Sequence, residues 1–109
     1  MKLSSDAIIA KEKIVNYLLQ WQPENDKSKF LAFAGYEKEN WKLLEEDIRK
    51  QLLSLNATLI EQTRFGDVFE IRGTLIGPNK IFLNVISVWM FEYKTQQSKF
   101  ITLFPDKEK

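Results

Sequence analysis

The sequence contains no cysteine and no histidine among its 109 residues. Without cysteine, the chain can form neither a disulfide framework nor a thiolate metal site. Without histidine, it lacks the commonest general base near neutral pH and the commonest ligand of transition metals. Any catalysis by this chain must therefore use lysine, arginine, tyrosine, serine, threonine or carboxylate groups, and we expect no cofactor.

An excess of one charge and long apolar segments are also missing. The formal net charge is +1, so the composition gives no attraction towards nucleic acid or membranes. The apolar run at residues 7–10 is too short for the core of a signal peptide, and no run approaches the length of a membrane span. We therefore expect a cytoplasmic protein that makes no contact with a membrane.

What the sequence does contain is typical of one small globular domain. Hydrophobic residues make up 44% and charged residues 28% of the chain, which argues against a disordered or fibrous protein. Three Trp, three Tyr and eight Phe supply large side chains for a core. We expect a single domain over residues 1–109, with its helical part at about 6–55 and its sheet part at about 57–105.

Helical spacing of apolar residues dominates the first half of the chain. Residues 11–20 show this spacing, and residues 27–34 predict a second, shorter helix that ends at Gly35. A third stripe is the clearest of all. It consists of Trp41, Leu44, Ile48 and Leu52. The pattern thus predicts two or three helices, while residues 7–9 fit either a short strand or the first turn of a helix.

After Asn56 the pattern changes to the alternation that is typical of strands. We predict four strands, at residues 57–65, 68–76, 81–91 and 99–104, with turns at 66–67 and 77–80. The third strand is apolar on both faces, which places it at the centre of the sheet. This order predicts an α+β fold with two or three N-terminal helices packed on one face of a four-stranded antiparallel meander sheet. Residues 106–109 are expected to fray.

Familiar site motifs are absent from the sequence. There is no Gly-rich phosphate loop, no serine nucleophile in a Gly-x-Ser-x-Gly turn and no ligand cluster for zinc or calcium, so we expect no metal site. Glu70 and Arg72 alternate on the outward face of the second strand. This spacing suits an acid/base pair, although a cross-strand surface salt bridge is the more common outcome.

Two further sets of polar residues have a structural and a functional interpretation. Lys27 and Lys29 follow a polar turn, where they would either contact a phosphate or simply be exposed. Ser87 and Thr102 interrupt apolar strands, where a polar group must find hydrogen bonds. They would form either satisfied core contacts or the floor of a pocket on the sheet.

Several short motifs along the chain together form a recognisable set. They are Ala7-Ile8-Ile9, Glu12-Lys13-Ile14, Tyr17-Leu18-Leu19, Glu39-Asn40-Trp41, Val88-Trp89 and Ile101-Thr102-Leu103-Phe104-Pro105. The set resembles an uncharacterised bacterial family of small domains, similar to C-terminal domains of polymorphic toxins and phage head proteins. The order of elements, ending in a Thr-containing strand before Pro, also looks like the barnase/EndoU/RelE-like ribonuclease fold.

This resemblance implies metal-independent cleavage of RNA on the open face of the sheet, with one group activating the 2′-hydroxyl and cations stabilising the phosphorane. Such relatives tend to have Arg at the position of Ile86, Tyr at Phe104 and Arg at Lys99. The candidate site residues carried over are Lys13, Lys27, Lys29, Lys99, Ser87 and Thr102. The hypothesis predicts that Lys27, Lys29 and Lys99 converge with Thr102 on one face.

The alternative hypothesis is a non-catalytic interaction module of a paired, toxin-antitoxin-like system. Its partner would be a small protein from a neighbouring gene, whereas the enzymatic hypothesis requires RNA as substrate. Phe82, Trp89 and Phe104 are the candidate anchors for such a partner. Both hypotheses leave the oligomeric state open.

Overall fold

The computed structural model describes residues 1–24 and 26–107, and its N-terminal half contains three short helices. The helices are α1 (Lys11–Lys13), α2 (Ser28–Phe33) and α3 (Trp41–Asp47). Turns of π-helix continue α1 over Ile14–Leu18 and α3 over Ile48–Leu53, and a 3-10 turn at Lys38–Asn40 precedes α3. Leu44, Ile48 and Leu52 of the predicted third stripe are fully buried, whereas Phe33 of the second helix is exposed. None of the described helices has the length and hydropathy needed to cross a membrane.

The second half forms a four-stranded antiparallel sheet in the order β1-β2-β3-β4. The strands are β1 (Thr58–Gln62), β2 (Gly66–Ile76), β3 (Phe82–Glu92) and β4 (Gln97–Pro105). The predicted α+β fold, with helices first and then a meander of four strands, is therefore confirmed. The predicted central position of the third strand is also confirmed.

The predicted turn at residues 66–67 is wrong, because the chain turns three residues earlier. The Thr63 hydroxyl accepts hydrogen bonds from the backbone N–H groups of Phe65 and Gly66, both at 3.1 Å, and closes the turn there. Gly66 is the first residue of β2, where a Cβ would overlap the carbonyl oxygen of Phe91 on β3. Glycine is therefore needed here because two strands approach each other closely, and not because the backbone makes a turn.

Residues 7–9 are extended and lie along the outer edge of β4. The backbone N–H of Ile8 donates to the Ser98 carbonyl at 2.8 Å, and the Phe100 N–H donates to the Ile8 carbonyl at 2.8 Å. This parallel bridge decides between the two interpretations of the segment in favour of a strand-like one. It also sets the start of α1 beside β4.

One hydrophobic core is shared by the helices and the inner face of the sheet. Ile14, Leu18 and Leu44 enter it from the helical half and are fully buried. Trp89 is the largest buried side chain, and its ring packs edge-on against Phe100 with centroids 5.2 Å apart. Trp89 therefore belongs to the core, and its predicted role as an exposed anchor for a partner is wrong.

The opposite, outer face of the sheet carries the second set of strand side chains, arranged in rows by the strand register. One row is Glu70, Val88 and Thr102, and the next is Arg72, Ile86 and Phe104. We call this surface the outer face. The second row lines a groove on this face, so it is a part of the sheet on which a ligand site can form.

The chain end contributes to the outer face as well, contrary to the expected fraying of residues 106–109. Asp106 is only 5% exposed, its N–H donates to the Asn84 carbonyl at 2.8 Å, and its carboxylate pairs with Arg72. These bonds extend the β3–β4 pairing by one residue. Residues 108–109 lie outside the described residues.

We predict that Ser87→Ala destabilises the fold. The Ser87 hydroxyl accepts a hydrogen bond from Trp89 Nε1 at 2.9 Å and donates to the Ile71 carbonyl at 3.2 Å, all within the buried core. Alanine leaves the indole N–H without a partner, which costs about 1–3 kcal/mol in the free energy of unfolding. Urea denaturation measures the loss. Ser5→Ala, at an exposed serine, is the control and should change stability by less than about 0.5 kcal/mol. Equal effects of the two substitutions would contradict the core role of Ser87.

Candidate active site at the edge of the outer face

The phenol oxygen of Tyr17 is the meeting point of three segments that are far apart in the sequence. Lys27 Nζ donates to this oxygen at 3.1 Å, and Thr102 Oγ1 donates to it at 3.1 Å. The ammonium group of Lys13 lies 5.7 Å from the centre of the same ring. The cluster therefore combines one phenol, one hydroxyl and two cations, and we call it the Tyr17 cluster.

A β-bulge in β4 turns Thr102 towards Tyr17. Trp89 is paired with Phe100, and the preceding residue Val88 is paired with Thr102, so Ile101 is an extra residue in β4. In a regular strand, residues 100 and 102 would point to the same face. The bulge instead lets Phe100 enter the core while Thr102 points to the outer face. Bulges commonly re-aim side chains next to active sites.

Asp26 fixes the loop that presents Lys27. Its carboxylate accepts hydrogen bonds from the backbone N–H of Gln22 at 3.1 Å, from the N–H and hydroxyl of Ser28 at 3.3 and 2.8 Å, and from the N–H of Lys29 at 3.3 Å. Desolvation opposes ionisation of Asp26, but these hydrogen bonds together hold its pKa below the ordinary value. The loop is thus tied to the end of the first helical segment and to the start of α2.

The surroundings of Tyr17 favour its ionised form. The hydrogen bond from Thr102 lowers the pKa of Tyr17, and partial burial raises it. The hydrogen bond and charge of Lys27 and the charge of Lys13 then lower it further, so the net effect is a pKa below the usual value of 10.0. A phenol in such a site is a candidate general base.

A groove of about 500 Å³ adjoins the cluster at Lys27. Arg72, Ile86 and Phe104 line it from three neighbouring strands, and Asp106 closes one side. Arg72 Nη1 contacts both carboxylate oxygens of Asp106 at 3.2 Å.

Within the part of the chain that the structure describes, the carboxylates of Asp106 and Glu70 both contact the Arg72 guanidinium, since its Nε also lies 3.4 Å from Glu70 Oε1. Desolvation works against the charge, but Asp106 and Glu70 raise the pKa of Arg72 above its ordinary value. Glu70 and Arg72 therefore do form a salt bridge, but it lies within one strand and not across two strands as predicted. Asp106 is an additional partner that the sequence pattern did not indicate.

The other sequence-predicted residues lie away from the Tyr17 cluster. Lys99 is on the outer face, but its ammonium binds the Glu92 carboxylate at 2.9 Å. Lys29, in α2, lines a surface pocket other than the groove at Lys27. Ser87 is buried in the core. The structure thus brings Lys27 and Thr102 together, with Lys13 nearby, but does not place three lysines around Thr102.

Tyr17 is not among the predicted site residues, although it belongs to one of the short motifs that carry the family resemblance. It lies at helical spacing among apolar residues, which is typical of a core aromatic. Its two hydrogen-bond partners are 10 and 85 residues away in the sequence, so no local pattern could have connected them.

Across residues 1–24 and 26–107, no group of three or more carboxylates is arranged to hold a metal ion.

We predict that Tyr17 is the first tyrosine to ionise when the pH is raised. The other two tyrosines have raised pKa values, Tyr36 through burial and its bond to Asp47, and Tyr93 through its bond to Asp67. The first ionisation step in an ultraviolet titration should therefore disappear in Tyr17→Phe.

The same titration tests the contribution of Lys27. Lys27→Met should move the first step to higher pH, because it removes both a hydrogen bond and a positive charge from the phenolate. Lys29→Met removes a nearby lysine that does not contact Tyr17, and should leave the step in place. If Lys27→Met and Lys29→Met titrate alike, the described coupling of Lys27 to Tyr17 is wrong.

Comparisons with known proteins give a family but no activity. A search of the curated proteins and a search of the solved structures each gave no match. The model of one protein family, described as a domain of unknown function (DUF6883), matches residues 2–107. Because this match covers nearly the whole chain, the protein belongs to the DUF6883 family of domains of unknown function.

Proposed function

We propose that this domain cleaves RNA without a metal ion, by transfer of the phosphodiester to the neighbouring 2′-hydroxyl. The observation that carries the proposal is the Tyr17 phenol oxygen, which accepts hydrogen bonds from Lys27 and Thr102 at 3.1 Å each. This arrangement offers a base for the 2′-hydroxyl and a cation for the phosphate within one cluster.

The proposed reaction proceeds in one displacement. The phenolate of Tyr17 takes the proton of the 2′-hydroxyl, the 2′-oxygen forms a bond to phosphorus, and the bond from phosphorus to the 5′-oxygen breaks. Lys27 stabilises the negative charge on the phosphorane and supplies a proton to the leaving 5′-oxygen. The products are a 2′,3′-cyclic phosphate and a 5′-hydroxyl, and Thr102 orients the phenol throughout.

The outer face offers the groups that the ribonuclease-like resemblance would require, but from unexpected positions. Ile86 stands where an Arg would be expected, and Arg72 is its direct partner on the neighbouring strand. Phe104 lacks the expected phenol, and Tyr17 brings a phenol to Thr102, two residues earlier on the same face. These placements support a toxin-like ribonuclease in which the same chemistry uses different residues.

We predict that the purified domain cleaves a single-stranded RNA oligonucleotide in the presence of EDTA. Tyr17→Phe should lower the rate about 10²–10⁴-fold, the usual contribution of a general base. Lys27→Ala should lower it about 10²–10³-fold, the usual loss for a group that stabilises a developing oxyanion. Gel electrophoresis and mass spectrometry of the products measure the rate and detect the cyclic phosphate.

Three controls make this experiment decisive. Lys29→Ala should retain the rate, because Lys29 lies outside the Tyr17 cluster. A substrate with 2′-deoxyribose at the cleaved position should be inert. The rate should also fall as the pH is lowered, since protonation of Tyr17 removes the base. Activity that survives in Tyr17→Phe, or that acts on the deoxy substrate, would rule out the mechanism.

A non-catalytic interaction module remains the second candidate function, because Phe82 is 66% exposed on the outer face. The adjacent exposed side chain of Ile76 lies directly opposite it on β2. In this case the partner is a small protein from a neighbouring gene, the complex is stable in size-exclusion chromatography, and Phe82→Ala dissociates it while no RNA is cleaved.

A further inference from the structure

The groove beside Lys27 lies where the substrate must continue from the Tyr17 cluster. Lys27 belongs to both, because it donates to the Tyr17 phenol oxygen and also lines the groove. A phosphate held at Lys27 therefore has its attached nucleoside within reach of the groove. The volume of about 500 Å³ is within the range typical of small-molecule pockets, and it can accommodate a base with its ribose.

The floor of the groove is apolar although its rim is charged. Ile86, Phe104 and Pro105 form the apolar part. Phe104 is 37% exposed on the outer face. Its ring is wholly apolar and has no aromatic neighbour among the described residues. An exposed aromatic ring next to a cationic phosphate contact is the usual platform for an unpaired base.

Arg72 faces Phe104 from the other side of β3. Arg72 on β2 and Phe104 on β4 are both paired with Ile86 on β3. The strands β2 and β4 are therefore about 10 Å apart at this point. A base stacked between two planar groups at the usual spacing of about 3.4 Å per layer needs about 7 Å. The separation of the two strands therefore leaves room for one base above Ile86.

The residues that line the groove carry three positive charges, at Lys27, Arg72 and Lys107, and two negative charges, at Asp26 and Asp106, so the net charge of the lining is +1. Asp106 binds Arg72 through both oxygens, and Asp26 accepts hydrogen bonds from its own loop. Lys27 and Lys107 add positive charge to the rim. The charge of the rim and the apolar floor thus complement a nucleotide, with its anionic phosphate and flat base.

We propose that this groove is a nucleobase subsite, formed by Phe104 and Arg72, that restricts the substrate to single-stranded RNA. The proposal rests on the proposed function and extends it to the class of substrate. A base can enter the groove only when it is not paired, since a duplex keeps its bases stacked inside. Contacts with Asp106 and Glu70 fix the Arg72 guanidinium beside the groove.

Binding to an RNA that cannot be cleaved tests the subsite separately from catalysis. Fluorescence anisotropy with a labelled 2′-O-methyl single-stranded oligonucleotide gives the affinity of the intact domain. Phe104→Ala should weaken binding about tenfold, as expected for the loss of one stacked base, and Phe104→Trp should retain it. Phe82→Ala, which removes another exposed ring of the outer face, is the matched control and should bind like the wild type.

Each result either supports or overturns the subsite. At least tenfold weaker binding of a duplex with the same sequence supports it, whereas equal binding of single strand and duplex overturns it. Equal affinity of Phe104→Ala and wild type, or no binding by the wild type, also overturns it. If binding depends on Phe104 but the unmodified RNA is not cleaved, the subsite stands and the proposed catalytic function fails. Circular dichroism confirms that each variant is folded.

Discussion

The apolar character of β3 on both faces is the constraint on which the rest of the structure depends. Its inner face carries Trp89 and Ser87, whose hydrogen bond closes the centre of the core. Its outer face carries Ile86 and Val88, which lie between the functional side chains of β2 and β4. One strand thus supports the packing of the helices and forms the floor of the candidate site. For this reason a substitution at Ile86, which is buried between Arg72 and Phe104, affects the packing of the sheet and the groove together, whereas Lys27 and Phe104 lie outside the hydrophobic core.

Much of the fold could be predicted from the sequence, because helical spacing and strand alternation are local properties. The stripe at Leu44, Ile48 and Leu52 gave the third helix, and the alternation after Asn56 gave the sheet. The first and last residues of the strands were less predictable where they depend on side-chain hydrogen bonds, some of them from residues distant in the sequence. The turn before β2 depends on the Thr63 hydroxyl, and Asp106 is held by contacts with the distant residues Asn84 and Arg72.

The candidate site was predictable only in part. Lys27 and Thr102 were singled out from the sequence and do lie together, but their connection is Tyr17, which no local pattern distinguishes from a core residue. The bulge at Ile101 that turns Thr102 outwards is equally invisible in the alternation, because it reverses the expected face of each residue beyond it. Ser87 and Lys99 have side chains that are suitable for a site. However, the Ser87 hydroxyl accepts a hydrogen bond from the indole N–H of Trp89 in the core, and Lys99 binds Glu92. Residue type identified candidates, while tertiary geometry selected among them.

The central claim is that RNA binds at the edge of the outer face, across the Tyr17 cluster and the groove. Nuclear magnetic resonance of the labelled domain, titrated with an uncleavable single-stranded oligonucleotide, tests this claim most directly. We expect the largest amide shift changes at Lys27, at Arg72 and along residues 102–106, with the Tyr17 ring signals changing in parallel. Shift changes confined to the exposed edge of β1 or to α3, or no changes at all, would contradict the account.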